Sequence, residues 1–179
     1  SLHEGHISLM HCAKQNADIL ILTLFVNPTQ FGVNEDFDKY PRDFKMDFAI
    51  AETNGCDYMF HPDVKEMYPN EFDSAISVGK VSEKFEGALR PGHFNGVSTV
   101  VSKLFNATMP DIAVFGQKDL QQTIVIKKMV TDLNLPVRII IAPTKREEDG
   151  LAMSSRNVYL TPEHRKQASI LYQALEEGR

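Results

Sequence analysis

The chain is expected to fold as α/β, a Rossmann-like doubly wound parallel sheet, and three observations point there. Apolar runs of strand length alternate with stretches of helical spacing along the sequence. The first run, at 17–26, is apolar almost without a break, the pattern of a strand covered on both faces. Polar residues with chemistry to offer fall just after the apolar runs, where loops at the carboxyl ends of parallel strands gather and bind ligands. Alternation of this kind implies right-handed crossovers. A length of 179 residues suffices for one such domain but not comfortably for two.

The elements follow in order. A helix starts at His3-Glu4-Gly5-His6 and runs through Ile7-Ser8-Leu9-Met10-His11-Cys12-Ala13-Lys14 to about Asn16. After the 17–26 strand, Asn27-Pro28-Thr29-Gln30-Phe31-Gly32 breaks the pattern, and a polar loop leads to Tyr40-Pro41-Arg42. Asp43 to Asn54 reads as a helix ended by Gly55. Asp57-Tyr58-Met59-Phe60 is a short strand stopped by His61-Pro62; a turn-rich stretch reaches Tyr68-Pro69-Asn70, and Ala75-Ile76-Ser77-Val78 is a further small strand. Past Arg90-Pro91-Gly92-His93, the stretch Phe94 to Asn106 carries Val97, Val100, Val101, Leu104 and Phe105 at helical spacing. Asp111 to Gly116 is a strand, Asp119 to Leu133 a helix and Val137 to Ile141 a strand. Thr161-Pro162-Glu163 opens a last helix, with an N-cap residue and proline in first position.

Charge and composition exclude several classes. With 24 acidic against 19 basic residues, the net charge is −5. That argues against bulk attraction to nucleic acid or an anionic membrane, and any phosphate site must be a focused one. No apolar stretch approaches the roughly 20 residues of a membrane span, and the first residues lack the regions of a secretory signal. The expected location is the cytoplasm. Cys12 and Cys56 have neither C-x-x-C spacing nor a metal-like cluster around them, so free thiols are expected.

His3 and His6 lie three apart, hence on one helical face. They stand at a helix start, whose unpaired N–H groups and positive dipole end favour an anion. Gly5 leaves room for a ligand against the backbone. Alone, these residues leave three readings open: a phosphate site, a metal site, or two surface histidines with no ligand. A zinc helix needs His-Glu-x-x-His and a third ligand, whereas here the spacing is i, i+3 with no evident third partner. A second cluster, Met153-Ser154-Ser155-Arg156, offers two hydroxyls and a guanidinium suited to phosphate oxygens. It favours the phosphate reading if the two clusters meet in space.

Taken together, the motifs resemble the pantothenate synthetase family of the His-x-Gly-His nucleotidyltransferase superfamily. They are Leu-His-Glu-Gly-His at 2–6, Phe-Val-Asn-Pro-Thr-Gln-Phe at 25–31, Tyr-Pro-Arg at 40–42, Arg-Pro-Gly-His-Phe at 90–94, Gly-Gln-Lys-Asp at 116–119 and Asp-Gly-Leu-Ala-Met-Ser-Ser-Arg-Asn at 149–157. The resemblance implies a ligase that forms an amide bond between pantoate and β-alanine. ATP adenylates the pantoate carboxylate with release of pyrophosphate; the β-alanine amine then attacks the pantoyl adenylate, giving pantothenate, a coenzyme A precursor, and AMP. A carboxylate is ionised at neutral pH and is its own nucleophile, so the first step needs no activated Ser or Cys. What remains is positioning and stabilisation of phosphate charge.

The same resemblance implies residue roles. His3, His6, Lys118 and Arg156 are the expected catalytic residues: the histidines on phosphates, His6 toward the departing pyrophosphate, Lys118 a point charge on ATP. Leu2, Glu4, Gly5, Gly116, Gln117, Asp119, Lys145, Met153, Ser154 and Ser155 complete the expected ATP-binding set, Lys145 through its backbone and Gln117 with little weight on its side chain. Gln30 and Gln122 are the implied pantoate amides, with Gln30 also at β-alanine; Arg90 and His93 are expected at the same cleft. Val97, Val100 and Val101 either meet the methyl groups of pantoate or are plain core. Magnesium is expected on the ATP, with Asp47 as its protein ligand or merely complementing a helix dipole. A homodimer is the implied assembly.

The resemblance is to a catalytic domain. The family pattern has a strand ending in Pro-Thr-Met-Gly before the His-x-Gly-His helix and a smaller C-terminal lid domain, and neither lies within 1–179, read here as a truncated ATP- and pantoate-binding domain. The stretch alone is therefore expected to be inactive or poorly folded, its parent a working enzyme. The alternatives are another nucleotidyltransferase of the superfamily and a non-catalytic ATP-binding module.

Overall fold

The structure is a computed structural model and describes residues 2–32 and 35–178. Its elements are α1 (Glu4–Lys14), β1 (Ile21–Thr23), α2 (Phe44–Thr53), β2 (Tyr58–Phe60), the one-turn helices α3 (Val64–Met67) and α4 (Glu86–Leu89), α5 (His93–Thr108), β3 (Ile112–Gly116), α6 (Leu120–Asp132), β4 (Arg138–Ala142), α7 (Pro162–Ala168) and α8 (Ile170–Glu177). β1 pairs in parallel with β2, Ile21 opposite Tyr58, and β3 pairs in parallel with β4, Ile112 opposite Arg138. A parallel pair needs a crossover, and α2 and α6 supply them. The class is α/β with parallel pairing, as expected. Among the described residues the strands form two two-stranded sheets, not one continuous sheet.

Two apolar clusters hold these elements together. The α5 stripe of Val97, Val100 and Val101 meets Val125, Ile126 and Met129 of α6. Val125 and Ile126 are fully buried, and burying such a side chain contributes roughly 1.5–3 kcal/mol. The three valines are therefore core. They do not line the acid cavity described below, so their expected contact with substrate methyl groups is not what the packing uses them for. The second cluster, Leu2, Met10, Leu20 and Ala51, seats α1, and α1 also packs on β3 and β4.

Three expectations need correction. β1 is only three residues long, and Ile19 and Ile21 are exposed, so the 17–26 run is not covered on both faces. Its hydrogen-bonded partner among the described residues is β2 alone. Ala75–Val78 is not a strand, because Ile76 N–H is taken by the Thr99 hydroxyl at 2.9 Å instead of a ladder. The last helix breaks at Ser169 into α7 and α8. Cys12 and Cys56 are free thiols.

Candidate active site

α1 starts because His3 is extended (φ −146°) and caps the helix with its own ring. Its Nδ1 accepts the Gly5 N–H at 3.1 Å, while His6 Nδ1 accepts the His3 N–H at 3.2 Å. Two imidazoles thus form a reciprocal capping box. Those two backbone donors are thereby engaged within the chain. The capping box also sets the ring chemistry. A neutral imidazole that accepts at Nδ1 carries its proton on Nε2, so the helix start presents two imidazole N–H donors in place of bare amides. The ring centroids are 4.0 Å apart. A β-carbon at Gly5 would lie 2.7 Å from His3 Cε1, so the glycine also leaves room for the capping ring.

Burial, then the neighbouring His3 and Lys118, lower the pKa of His6 to about 4. His3 is lowered by burial and by Lys118. At neutral pH both rings are uncharged donors. Lys118 lies in the one-turn 3-10 segment Gln117–Asp119 that follows β3, with Nζ 3.2 Å from Asp119 Oδ1. Its charge reaches both histidines, while Gln117 points into solvent as an exposed residue. Gly116, the last residue of β3, sits against Leu9 of α1, which brings the two motifs side by side.

A second region grows from buried Asn27. Its Oδ1 accepts from Tyr68 OH at 2.6 Å, Thr29 Oγ1 at 3.0 Å and Thr29 N–H at 3.3 Å. Its Nδ2 donates to Gly96 O at 3.1 Å and Gln30 Oε1 at 3.4 Å. The turn Pro28–Gln30 can lie this close to α5 only because residue 96 is glycine; a β-carbon there would be 2.5 Å from Thr29 O. Gln30 then joins Gln122, Phe25, Phe31, Tyr40, Arg90, His93, Asp119 and Arg156 around a cavity of about 200 Å³.

The cations of this cavity are matched. His93 donates from Nδ1 to Gln30 O at 2.8 Å and accepts at Nε2 from Arg90 at 3.2 Å, the only assignment open to a ring facing a pure donor. Arg90 grips Glu35 through Nε at 2.6 Å and through Nη2, and reaches Glu86 at 2.7 Å. Arg156 grips Asp36 bidentately, both bonds 2.8 Å, beneath the rings of Phe31 and Tyr40. The hydrogen bonds from the two guanidinium groups hold Glu35 and Asp36 below the usual carboxylate range.

Three further ATP-binding expectations line a second groove. Glu4, Lys145 and Met153 share a groove with Arg146, Glu147, Glu148, Asp149 and Arg165. Met153 N–H donates to Lys145 O at 3.0 Å, and Met153 adjoins Gly5, so the two sequence clusters do meet. Ser154 Oγ accepts from Arg156 N–H at 3.2 Å, opening a 3-10 segment, Ser155–Tyr159. Arg156 itself lines the acid cavity. Asp47 requires correction as a metal ligand. It is 2% exposed and its Oδ1 accepts from Leu2 N–H at 2.5 Å, tying α2 to the start of α1. No group of three metal-ligating side chains stands together among the described residues. Sequence reasoning missed Glu35, Asp36 and Tyr68, whose partners are 55, 120 and 41 residues away.

The family model described as pantoate-beta-alanine ligase matches residues 1–179. A protein named pantothenate synthetase from Thermoanaerobacter sp. (strain X514) is 62% identical over 177 residues, which cover 99% of this chain and 62% of that protein. Its counterpart from Caldicellulosiruptor bescii is 60% identical, over 97% of this chain and 62% of its own length. The chain thus spans less than two thirds of these relatives. The crystal structure of pantothenate synthetase from Thermus thermophilus superposes with a TM-score of 0.96 at 50% identity, covering 97% of this chain and 63% of that one. The pantoate-beta-alanine ligase from Francisella tularensis, complexed with Beta-gamma ATP and Beta-alanine, gives 0.92 at 40% identity, covering 98% and 67%.

Proposed function

The chain belongs to the pantoate-beta-alanine ligase family, and from that premise we propose that residues 1–179 are the Rossmann-like catalytic domain of an ATP-dependent ligase. It condenses (R)-pantoate with β-alanine to pantothenate through pantoyl adenylate, releasing pyrophosphate and AMP. One observation carries the reading: a single small cavity joins the amides of Gln30 and Gln122 to the guanidinium groups of Arg90 and Arg156, and its wall at Asp119 is next in sequence to Lys118, whose charge reaches His3 and His6. Its volume suits a small acid, below the range of drug-sized ligands. The Francisella relative, described with an ATP analogue and β-alanine, supports the same substrate pair.

In this reading the pantoate carboxylate attacks the α-phosphorus of ATP, and the bond from that phosphorus to the bridging oxygen breaks. His3 and His6 donate their Nε2 protons in hydrogen bonds to phosphate oxygens, with His6 toward the departing pyrophosphate, and Lys118 adds a full positive charge. Ser154, Ser155 and Arg156 close on the triphosphate from the far side. Gln30 and Gln122 hold the hydroxyl and carboxylate of pantoate, and Gln30 the β-alanine. The free amine of β-alanine then attacks the acyl carbon, the C–O bond to the phosphate breaks with its electrons leaving on AMP, and the nitrogen gives up one proton to solvent. Glu4, Gly5 and Met153 line the nucleotide side with the backbone of Lys145. Magnesium would accompany the ATP and offset its phosphate charge, and Asp47, which accepts from Leu2 N–H, has no part in the steps above.

No helix among the described residues is long and apolar enough to cross a membrane, in keeping with a cytoplasmic enzyme. The exposed Phe85, Leu89, Leu120 and Ile124 are in keeping with a homodimer. The deciding experiment uses the protein at its full natural length with ATP and pantoate but no β-alanine, quenched and assayed for pantoyl adenylate. The adenylate is expected. ATP turnover that ignores pantoate would indicate another nucleotidyltransferase, and ATP binding without turnover a non-catalytic module.

A further inference from the structure

We propose that Asp36 competes with the nucleotide for Arg156: Asp36 holds that guanidinium over the acid cavity, and the ATP phosphates must take it from this carboxylate. The proposal rests on the functional reading above, in which Arg156 meets the triphosphate.

The geometry makes the two partners exclusive. Arg156 points Nε and Nη2 at the two oxygens of Asp36, 2.8 Å each. That parallel fork is the one a phosphate would use, and it has one occupant at a time. The clasp holds more than a charge. Phe31 and Tyr40 lie against the same guanidinium, and Tyr159 OH donates to Lys39 O at 2.9 Å. Segment 35–40 is thereby fastened to segment 154–159 along one wall of the cavity that contains Gln30 and Gln122.

The neighbouring arginine shows why Arg156 is the one that exchanges. Arg90 is held by Glu35, Glu86, His93 and Gln30 O together, and its side chain is 25% exposed. Arg156 has Asp36 as its charged partner and is 48% exposed. A pair this open holds its partners by a factor of about two to five, a cost that phosphates can meet. Asp36 is thus a positioning residue that lowers ATP affinity and links nucleotide binding to release of the cavity wall.

ATP affinity measured by calorimetry at low ionic strength, in the full-length protein without pantoate, tests this. Asp36→Asn is expected to bind ATP about two- to fivefold tighter, Asp36→Glu to restore the unaltered affinity, and Asp36→Asn to give no gain in an Arg156→Lys background. The gain should shrink as salt rises. Unchanged or weaker ATP binding in Asp36→Asn, or a gain that persists without Arg156, overturns the proposal and leaves the functional reading standing. Failure of the unaltered protein to bind ATP removes both.

Discussion

At the start of α1, the charged forms of His3 and His6 are suppressed by burial, and the site is left with neutral N–H donors. Across the cavity, Arg90 and Arg156 keep their charges and have them matched by Glu35 and Asp36. In the function proposed above both regions handle anions, by opposite means. The histidine side gets its donors from a helix cap, so its geometry is determined within four residues, and Glu147 and Asp119 act on the imidazoles only as nearby charges. The arginine side depends on ion pairs between distant loops, so an incoming anion meets groups that already have partners. Neutral, preorganised donors are suited to charge that grows in a transition state; matched cations are suited to partner exchange.

The largest test of this contrast removes a donor from the first region. His6→Ala or Lys118→Ala in the full-length protein is expected to lower pantoyl adenylate formation by on the order of 10²- to 10³-fold, measured in single-turnover quench. Near-normal adenylation by either variant would take that residue out of the histidine-side chemistry.

A second test uses protons. His6 has a pKa of about 4 in the folded chain against 6.5 when unperturbed. Between those values the unfolded chain binds a proton that the folded one does not. Stability from this group is therefore complete above pH 6.5, declines as the pH falls through the window, and is not reduced further below about 4. The decline should be roughly 2–3 kcal/mol, read as the difference in urea stability between pH 7 and pH 4.5, and His6→Gln should flatten it. Identical pH slopes in the two proteins would show that the ring is not neutralised by folding, and the contrast with the arginine side would collapse.

The smallest expected effect concerns the arginine side's foundation. Gly96→Ala puts a β-carbon 2.5 Å from Thr29 O and 2.9 Å from Gln30 Cα, forcing the Pro28–Gln30 turn off α5. Overpacking of this kind costs about 1–3 kcal/mol. The variant should melt earlier and raise KM for pantoate more than KM for ATP. An equal rise in both would mean that the two regions are not independently supported.

Much of this was legible beforehand. Helix starts and stops at Asp43, Gly55 and Thr161 are local chemistry, and the structure places them accordingly. The His-x-Gly-His start, the Gln30 and Gln122 pair, and Lys118 were found from motifs, and the fold brings Gln30, Gln122, Asp119 and Arg156 to one cavity. At Asp47 an acidic residue in a first helical turn looks the same whether it complements the dipole, meets a metal or, as here, also accepts a buried amide. The 17–26 run was misread because apolarity reports what a strand prefers, not how many neighbours it has. Glu35 and Asp36 carried no signal at all: two acids in a polar loop acquire meaning only from arginines that packing delivers.

By itself, then, the sequence determined the alternation of helices and parallel strands, the residues that begin α1, and the family. These depend on periodicity and on contacts between residues three or four apart, which any chain with this order of side chains must make. The tertiary structure decided the charge state of His6 and the carboxylate partners of Arg90 and Arg156. Burial and ion pairing across 55 and 120 residues are properties of how loops pack, and no local pattern encodes them.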